Sequence, residues 1–249
     1  MRRWGWATLV ALGCWVGCGE GGSLPTKTED QSTTTNPDGT VDLPGEPEDP
    51  DVQDPFTSLW PLTRGSTWTY RITDPKKGTF EKRVEVLGEQ TVPETLMKAT
   101  AVRSTQPRLG LEELSWQIID VNGLVVRLRE EDREGTTLEE VTTWNPATVK
   151  SIAREQPAGW SHTSKIREVT RHGTGEVDDK EKTYVWRVET VNETVNTPAG
   201  TFTNAIRVKR ERDDKDGYAR TYWLVPGIGK VKEDGERLEE LVSYDVKKP

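Results

Sequence analysis

From Pro61 onward, apolar and polar residues alternate with a period of two. Thr67-Trp68-Thr69-Tyr70-Arg71-Ile72 sets Trp68, Tyr70 and Ile72 on one face; Val84 and Val86, and then Tyr184, Trp186 and Val188, repeat the pattern. Successive side chains on an extended backbone point to opposite faces, so this pattern predicts half-buried antiparallel strands. Turn residues punctuate it at Asp74-Pro75, Asn122-Gly123, Asn145-Pro146, Thr197-Pro198-Ala199-Gly200, Asp216-Gly217 and Asp234-Gly235. Asn122-Gly123, between Ile118-Ile119 and Leu124-Val125-Val126, predicts a two-residue hairpin with positive φ at both central positions. No long stretch carries a helical period. The fold class expected is all-β: antiparallel curved sheets forming a sandwich or a partly open barrel.

The pattern also echoes itself. Arg83 to Val92 resembles Arg187 to Val195; Ser115-Trp116-Gln117-Ile118-Ile119 resembles Thr221-Tyr222-Trp223-Leu224-Val225; and Leu138-Glu139-Glu140-Val141 resembles Leu238-Glu239-Glu240-Leu241. The offset stays near 100 residues, far too long for a solenoid. Two related halves, 56–150 and 151–249, facing each other would bury both apolar faces in one core. Unpaired edge strands are expected to leave pairing between copies open.

The first 55 residues have a different composition. Met1-Arg2-Arg3 is followed by an apolar run from Trp4 to Gly17, the length of a signal-peptide core and too short to span a bilayer. Residues 1–17 therefore read as a processing signal and Cys18 as the lipidated residue, with Gly19-Glu20-Gly21-Gly22-Ser23 as a flexible exit. Cys14, after Ala11-Leu12-Gly13, is the alternative, although it would cut the apolar core to about nine residues. The segment resembles the lipobox of bacterial lipoproteins, with Trp15 where that motif has a small or aliphatic residue. Both cysteines lie here, so the rest of the chain has neither a disulfide nor thiol chemistry.

Residues 18–55 read as a tether. Six prolines, ten acidic residues and one lysine, with few aliphatic side chains, cannot bury enough apolar surface to offset backbone ordering. A flexible chain of that length averages roughly 35 Å end to end. The whole chain carries −8; allowing for the two arginines of the n-region and the tether's ten acids against Lys27, residues 56–249 carry −1. A nearly neutral domain has no net basic footprint, and no nucleic-acid partner is expected. The basic run Arg207 to Arg212 alternates with Ile206 and Val208 and reads as the solvated face of a strand.

Candidate chemistry is sparse. His162 and His172 are the only histidines; on one strand they would lie roughly 33 Å apart and could not share a metal. Glu112/Glu113, Glu130/Glu131/Asp132 and Asp178/Asp179 are paired acids near turns without the ligand spacing of a calcium cage. Gly227-Ile228-Gly229-Lys230 lacks the following helix that a phosphate cradle needs. No catalytic, cofactor or metal residues are assigned, and no cofactor is expected. Seven tryptophans, Trp60, Trp68, Trp116, Trp144, Trp160, Trp186 and Trp223, are expected to furnish the core or to line a cleft between the halves.

Pro61-Leu62, Gly65, Trp68 and Tyr70, then Thr197 to Ile206, then Tyr222 to Lys232, resemble the recurring signatures of uncharacterised β-rich bacterial envelope proteins, many of them lipoproteins of myxobacterial type. The resemblance covers nearly all of residues 58–245. It implies a curved antiparallel domain in the style of lipid-handling lipoproteins and transfers no functional residue. The function expected is a membrane-anchored envelope lipoprotein, not an enzyme, with a β-rich binding or assembly domain. The alternatives are a carrier for an acyl or other hydrophobic ligand and an envelope hydrolase using the paired acids. Its partners are expected to be the membrane through the anchor, with an envelope protein or an acyl ligand. Gly19, rather than Asp, after Cys18 points to the outer membrane, facing the periplasm or the surface.

Overall fold

A computed structural model describes residues 57–248 except Asp214 and Asp216. The signal segment, Cys14, Cys18 and the tether lie outside the described residues. Twelve strands follow one another: β1 (Thr67–Asp74), β2 (Gly78–Thr91), β3 (Lys98–Gln106), β4 (Leu111–Ile119), β5 (Leu124–Glu134), β6 (Thr137–Ile152), β7 (Ser161–His172), β8 (Val177–Thr197), β9 (Gly200–Arg212), β10 (Ala219–Val225), β11 (Gly229–Asp234) and β12 (Leu238–Asp245). One 3₁₀ turn, Pro107–Leu109, interrupts them. Each strand pairs with its neighbours in sequence, and β12 returns to β1 from Thr67↔Asp245 to Thr73↔Leu238. The result is a closed antiparallel barrel. The expectation of exposed edge strands is thereby corrected, because closure pairs the backbone groups that an edge would leave open.

Strand parity explains the burial. Trp68, Tyr70 and Ile72 face inward from β1, and their register partners Val84, Lys82 and Phe80 from β2. Tyr184, Trp186 and Val188 on β8 meet Val208 on β9 and Tyr222 and Leu224 on β10 in one apolar cluster, where Trp186 stacks on Tyr222 at 5.6 Å. A second cluster gathers Trp68, Tyr70, Ile72, Val86, Val102, Val231 and Leu241.

The sequence echoes fall six strands apart. Arg83 to Val92 runs along β2 into the following turn and Arg187 to Val195 lies on β8; the Trp116 and Trp223 segments lie on β4 and β10, and the Leu138 and Leu238 segments on β6 and β12. The pairs share a detail of packing as well. Trp116 points outward and packs with Val92 from the β2–β3 connection. Trp223 also faces outward, donating its indole N–H to Glu193 of β8 at 3.0 Å. The β8–β9 turn bends across the neighbouring strands, so that Ala199 N donates to Leu241 O of β12 at 2.9 Å. The tryptophans therefore divide between the interior and two outer saddles, a division that core packing alone did not anticipate.

The β4–β5 connection differs from the two-residue hairpin expected. Asp120 N donates to Leu124 O, so three residues form the loop, and only Gly123 has positive φ, at 75°. The Asp120 carboxylate accepts from Asn122 N at 3.0 Å and from Leu124 N at 2.8 Å. Its side chain thus organises a turn that Asn122-Gly123 by itself would have made tighter.

Residues 57–66 form a strap across one end of the barrel. Leu59 is fully buried and donates its N–H to Ala153 O at 2.8 Å; Ser58 O accepts from Gly227 N at 2.9 Å. Trp60 reaches inside and donates its indole N–H to Gln117 Oε1 at 2.9 Å. The Pro226-Gly-Ile-Gly motif has its explanation here. Gly229 has φ +95°, and a Cβ there would stand 3.2 Å from Pro61 Cδ. Gly175 has a similar φ of +90° with nothing within 4 Å. Gly175→Ala should therefore cost about 1–2 kcal/mol through the backbone alone. Gly229→Ala should cost clearly more, because the strap must also shift. Chemical denaturation of the two variants measures the strap contact as their difference, and equal losses would show that the contact contributes nothing.

Candidate functional site

The interior carries many charges, each placed by strand parity. Lys82 shares the inward face of Val84 and Val86, Arg210 that of Ile206 and Val208, and Glu239 that of Leu241. Glu233 and Glu239 are register partners on β11 and β12 and would repel each other on one face. Lys230 stands with them: its ammonium bonds Glu233 and lies 2.7 Å from Glu239. Lys82 at 2.8 Å and Arg237 at 2.8 Å complete the shell of Glu239. Burial would raise the Glu239 pKa, but Lys230, Lys82 and Arg237 prevail and hold it well below the ordinary carboxylate range. Burial would lower that of Lys230, and the two glutamates raise it instead. The Tyr70 hydroxyl donates to Lys230 O at 2.8 Å, and burial pushes its pKa up.

A second group occupies β4 and β5. Glu113, Glu130 and Asp132, drawn from two of the acidic clusters evident in the sequence, bring carboxylate oxygens within 4.8 Å of one another. Arg127 closes this triad, pairing with Glu113 at 3.5 Å and with Glu130, while its guanidinium lies 4.6 Å over the Trp144 ring. Burial, and then the charge of Glu113, push Asp132 up to about 6. Arg127 offsets one of the three charges, and the tighter hold of Asp132 on its proton weakens the cluster further as a cation site. Asp178 and Asp179 lie elsewhere, paired with Lys180 and Arg167.

The two histidines end up on a single strand, β7. His172 contacts Glu140 at 3.0 Å and Asp178 at 3.3 Å, and the Asp178 hydrogen bond raises its pKa. His162 stacks on Trp160. Both are partly buried. Lys230 of the Gly-Ile-Gly-Lys segment points into the ion-pair network, not toward a phosphate. Arg210 departs from the solvated-face reading of its run: its guanidinium lies 5.1 Å from the Tyr184 ring and 5.5 Å from Trp186, a partly buried cation held by aromatic faces.

A cavity of about 70 Å³ lies between the strap and the ion pairs. Trp60, Leu62, Trp68, Val84 and Val102 form its apolar side; Lys82, Lys150, Lys230, Glu113 and Ser104 are among its polar lining. Lys150 has an unusual place in the ladder. Val125 pairs with Ser151 and Val126 with Val149, so Lys150 is the extra residue of a β-bulge. Such an insertion re-aims a side chain without breaking the sheet. No carboxylate of the described residues lies within salt-bridge distance of its ammonium. Burial, with Arg127 and Lys82 nearby, lowers its pKa to about 7 against the opposing pull of Glu113 and Glu233.

Sequence reasoning passed over Lys82, Arg127, Lys150 and Glu239. For Lys82 and Glu239 the available signal was parity: each falls in phase with an apolar face.

Two stability effects follow. Because Lys150 binds its proton less tightly folded than unfolded, it penalises folding fully below about pH 7, and the penalty fades as pH rises toward the unfolded value near 10.5. Lys150→Met should therefore raise the melting temperature, by more at acid than at alkaline pH; a gain independent of pH would refute the assignment. Glu239→Gln should destabilise by about 3–5 kcal/mol, since it leaves buried ammonium groups short of a partner. A loss under about 1 kcal/mol in urea denaturation would show that water replaces it.

No family model matches the chain, and no curated protein matches it. Two solved structures are similar. One, from Parabacteroides distasonis ATCC 8503, is assigned as a lipoprotein; it is 13% identical with a TM-score of 0.39, covering 76% of this chain and 99% of its own. The other, from Bacteroides fragilis NCTC 9343, is assigned as an exported protein with a YmcC-like fold; it is 14% identical with a TM-score of 0.40 and the same coverage. These are distant likenesses, and no ligand or activity passes from them to this chain.

Proposed function

We propose that this chain is a cell-envelope lipoprotein, held at the outer membrane by an acylated Cys18, or Cys14, and that its barrel is a non-catalytic binding or assembly module. The observation that carries the reading is the occupied interior. Twelve strands enclose a wide cylinder, yet paired charges and aromatic rings occupy much of it, and the cavity beneath the strap measures about 70 Å³. A ligand pocket for a drug-sized molecule spans roughly 300–1,000 Å³, so the space counts against a carrier for an acyl chain. Of the carboxylates of the hydrolase alternative, Glu113 and Glu130 are engaged by Arg127, Glu131 by Arg129, and Asp178 and Asp179 by Lys180 and Arg167, which counts against a free acid and base among them. The near-neutral charge of residues 56–249 supports protein or small-molecule partners over nucleic acid.

Cys18→Ala should shift the protein from the membrane to the soluble fraction or leave it unprocessed, read by cell fractionation and intact mass. Unchanged processing and retention would assign the anchor to Cys14 or to another element. Native mass spectrometry of the exported protein should show no acyl lipid held by the barrel beyond the covalent anchor. A stoichiometric second lipid would overturn the binding-module reading in favour of a carrier.

A further inference from the structure

We propose that the cavity beneath the strap is a binding site for a small organic carboxylate with a short apolar body, its charged end on Lys150 and Ser104 and its apolar end between Trp60, Trp68 and Val84. The inference deepens the binding-module reading and rests on it.

Charge complementarity sets the ligand class. Three ammonium groups and one carboxylate line the space. Lys82 and Lys230 are already paired with Glu239, and Lys230 also with Glu233. Glu113 is paired with Arg127. Lys150 alone of the three lysines has no carboxylate within 4 Å, and it occupies the bulge that aims it inward. A desolvated cation without a counter-ion is costly unless it meets an anion or gives up its proton. The hydroxyl of Ser104 opens on the same space and makes no hydrogen bond with the described residues, whereas those of Gln117 are used by Trp60 and Ser115. One short ion-pairing end and one apolar end are thus offered in a single compartment.

Size sets the length of the ligand. About 70 Å³ admits a few waters or a ligand of a few heavy atoms, and no long chain. The charged groups facing the lysine are Glu113 from β4, Arg127 and Asp132 from β5, Lys82 from β2 and Glu233 from β11, and Asp132 itself titrates at about 6. Lys82 and Arg127 are engaged by Glu239, Glu113 and Glu130, so the anion rests on Lys150, and the neighbouring Glu113 sets a limit on the ligand's charge. A monocarboxylate fits this balance better than a phosphate, which brings a second negative charge beside Glu113.

Calorimetric titration of the full chain in non-ionic detergent tests the site, with butyrate as the probe and butyramide as its uncharged isostere. Butyrate should bind saturably near pH 6 and at least about tenfold more weakly near pH 9, as Lys150 loses its proton. Butyramide should bind at least about tenfold more weakly than butyrate near pH 6 and should change little between the two pH values. Lys150→Met should abolish the pH dependence and the preference for the acid, and Lys150→Arg should retain the preference. No saturable butyrate binding, equal binding of the two probes near pH 6, or an unchanged profile in Lys150→Met would each overturn the inference. The outcome is separable from the anchor: a chain that fractionates with membranes and ignores butyrate loses this inference alone.

Discussion

Everything inside this barrel depends on one constraint, the pairing of long charged side chains across a ring too wide for its aliphatic residues to fill. Twelve strands enclose more volume than the eight that side chains fill readily. The chain meets the excess with lysines, arginines and glutamates whose stems occupy space and whose heads must then find partners. Lys230 beside Glu233 and Glu239, with Lys82 and Arg237 on Glu239, is the densest example. Breaking such a pair leaves an uncompensated charge, so the arrangement specifies register as much as it stabilises.

The strap is the second dependency. It crosses the end of the barrel at which β6 and β10 finish, and hydrogen bonds to Ala153 and Gly227 tie it to both connections. Gly229 admits Pro61 at a distance that a side chain would obstruct. Trp60 then reaches Gln117 and becomes a wall of the cavity. The cavity is thus what remains when an apolar strap closes one side of a polar interior. Its amphipathic lining follows directly from that origin.

Much of the architecture was legible beforehand because strand parity is local. Trp68, Tyr70 and Ile72 on one face, and the echoes that fall on β2 and β8, β4 and β10, β6 and β12, need only the chain's own periodicity. The turn at Asn122-Gly123 was located correctly and its geometry misjudged, because the Asp120 carboxylate supplies hydrogen bonds that a dipeptide preference does not register. Arg210 was read as solvated although its parity matches Ile206 and Val208. Composition suggested a surface, and only the ring of Tyr184, Trp186 and Tyr222 shows how a cation is kept inside.

The sequence alone determined the period-two strands, the cysteine-free domain, the near-neutral charge of residues 56–249 and most turn positions, since each depends on residue type and spacing over a few positions; the turn expected at Asn145-Pro146 instead lies within β6. Tertiary structure decided whether the sheet closes, which acids meet, and which of the cavity's lysines has no carboxylate partner among the described residues. Glu113 and Asp132 are 19 residues apart in the chain and partners across β4 and β5, while Lys150 is set by a bulge that no local pattern announces. Closure and charge pairing are long-range properties of the register, and the register is settled only when all twelve strands are in place.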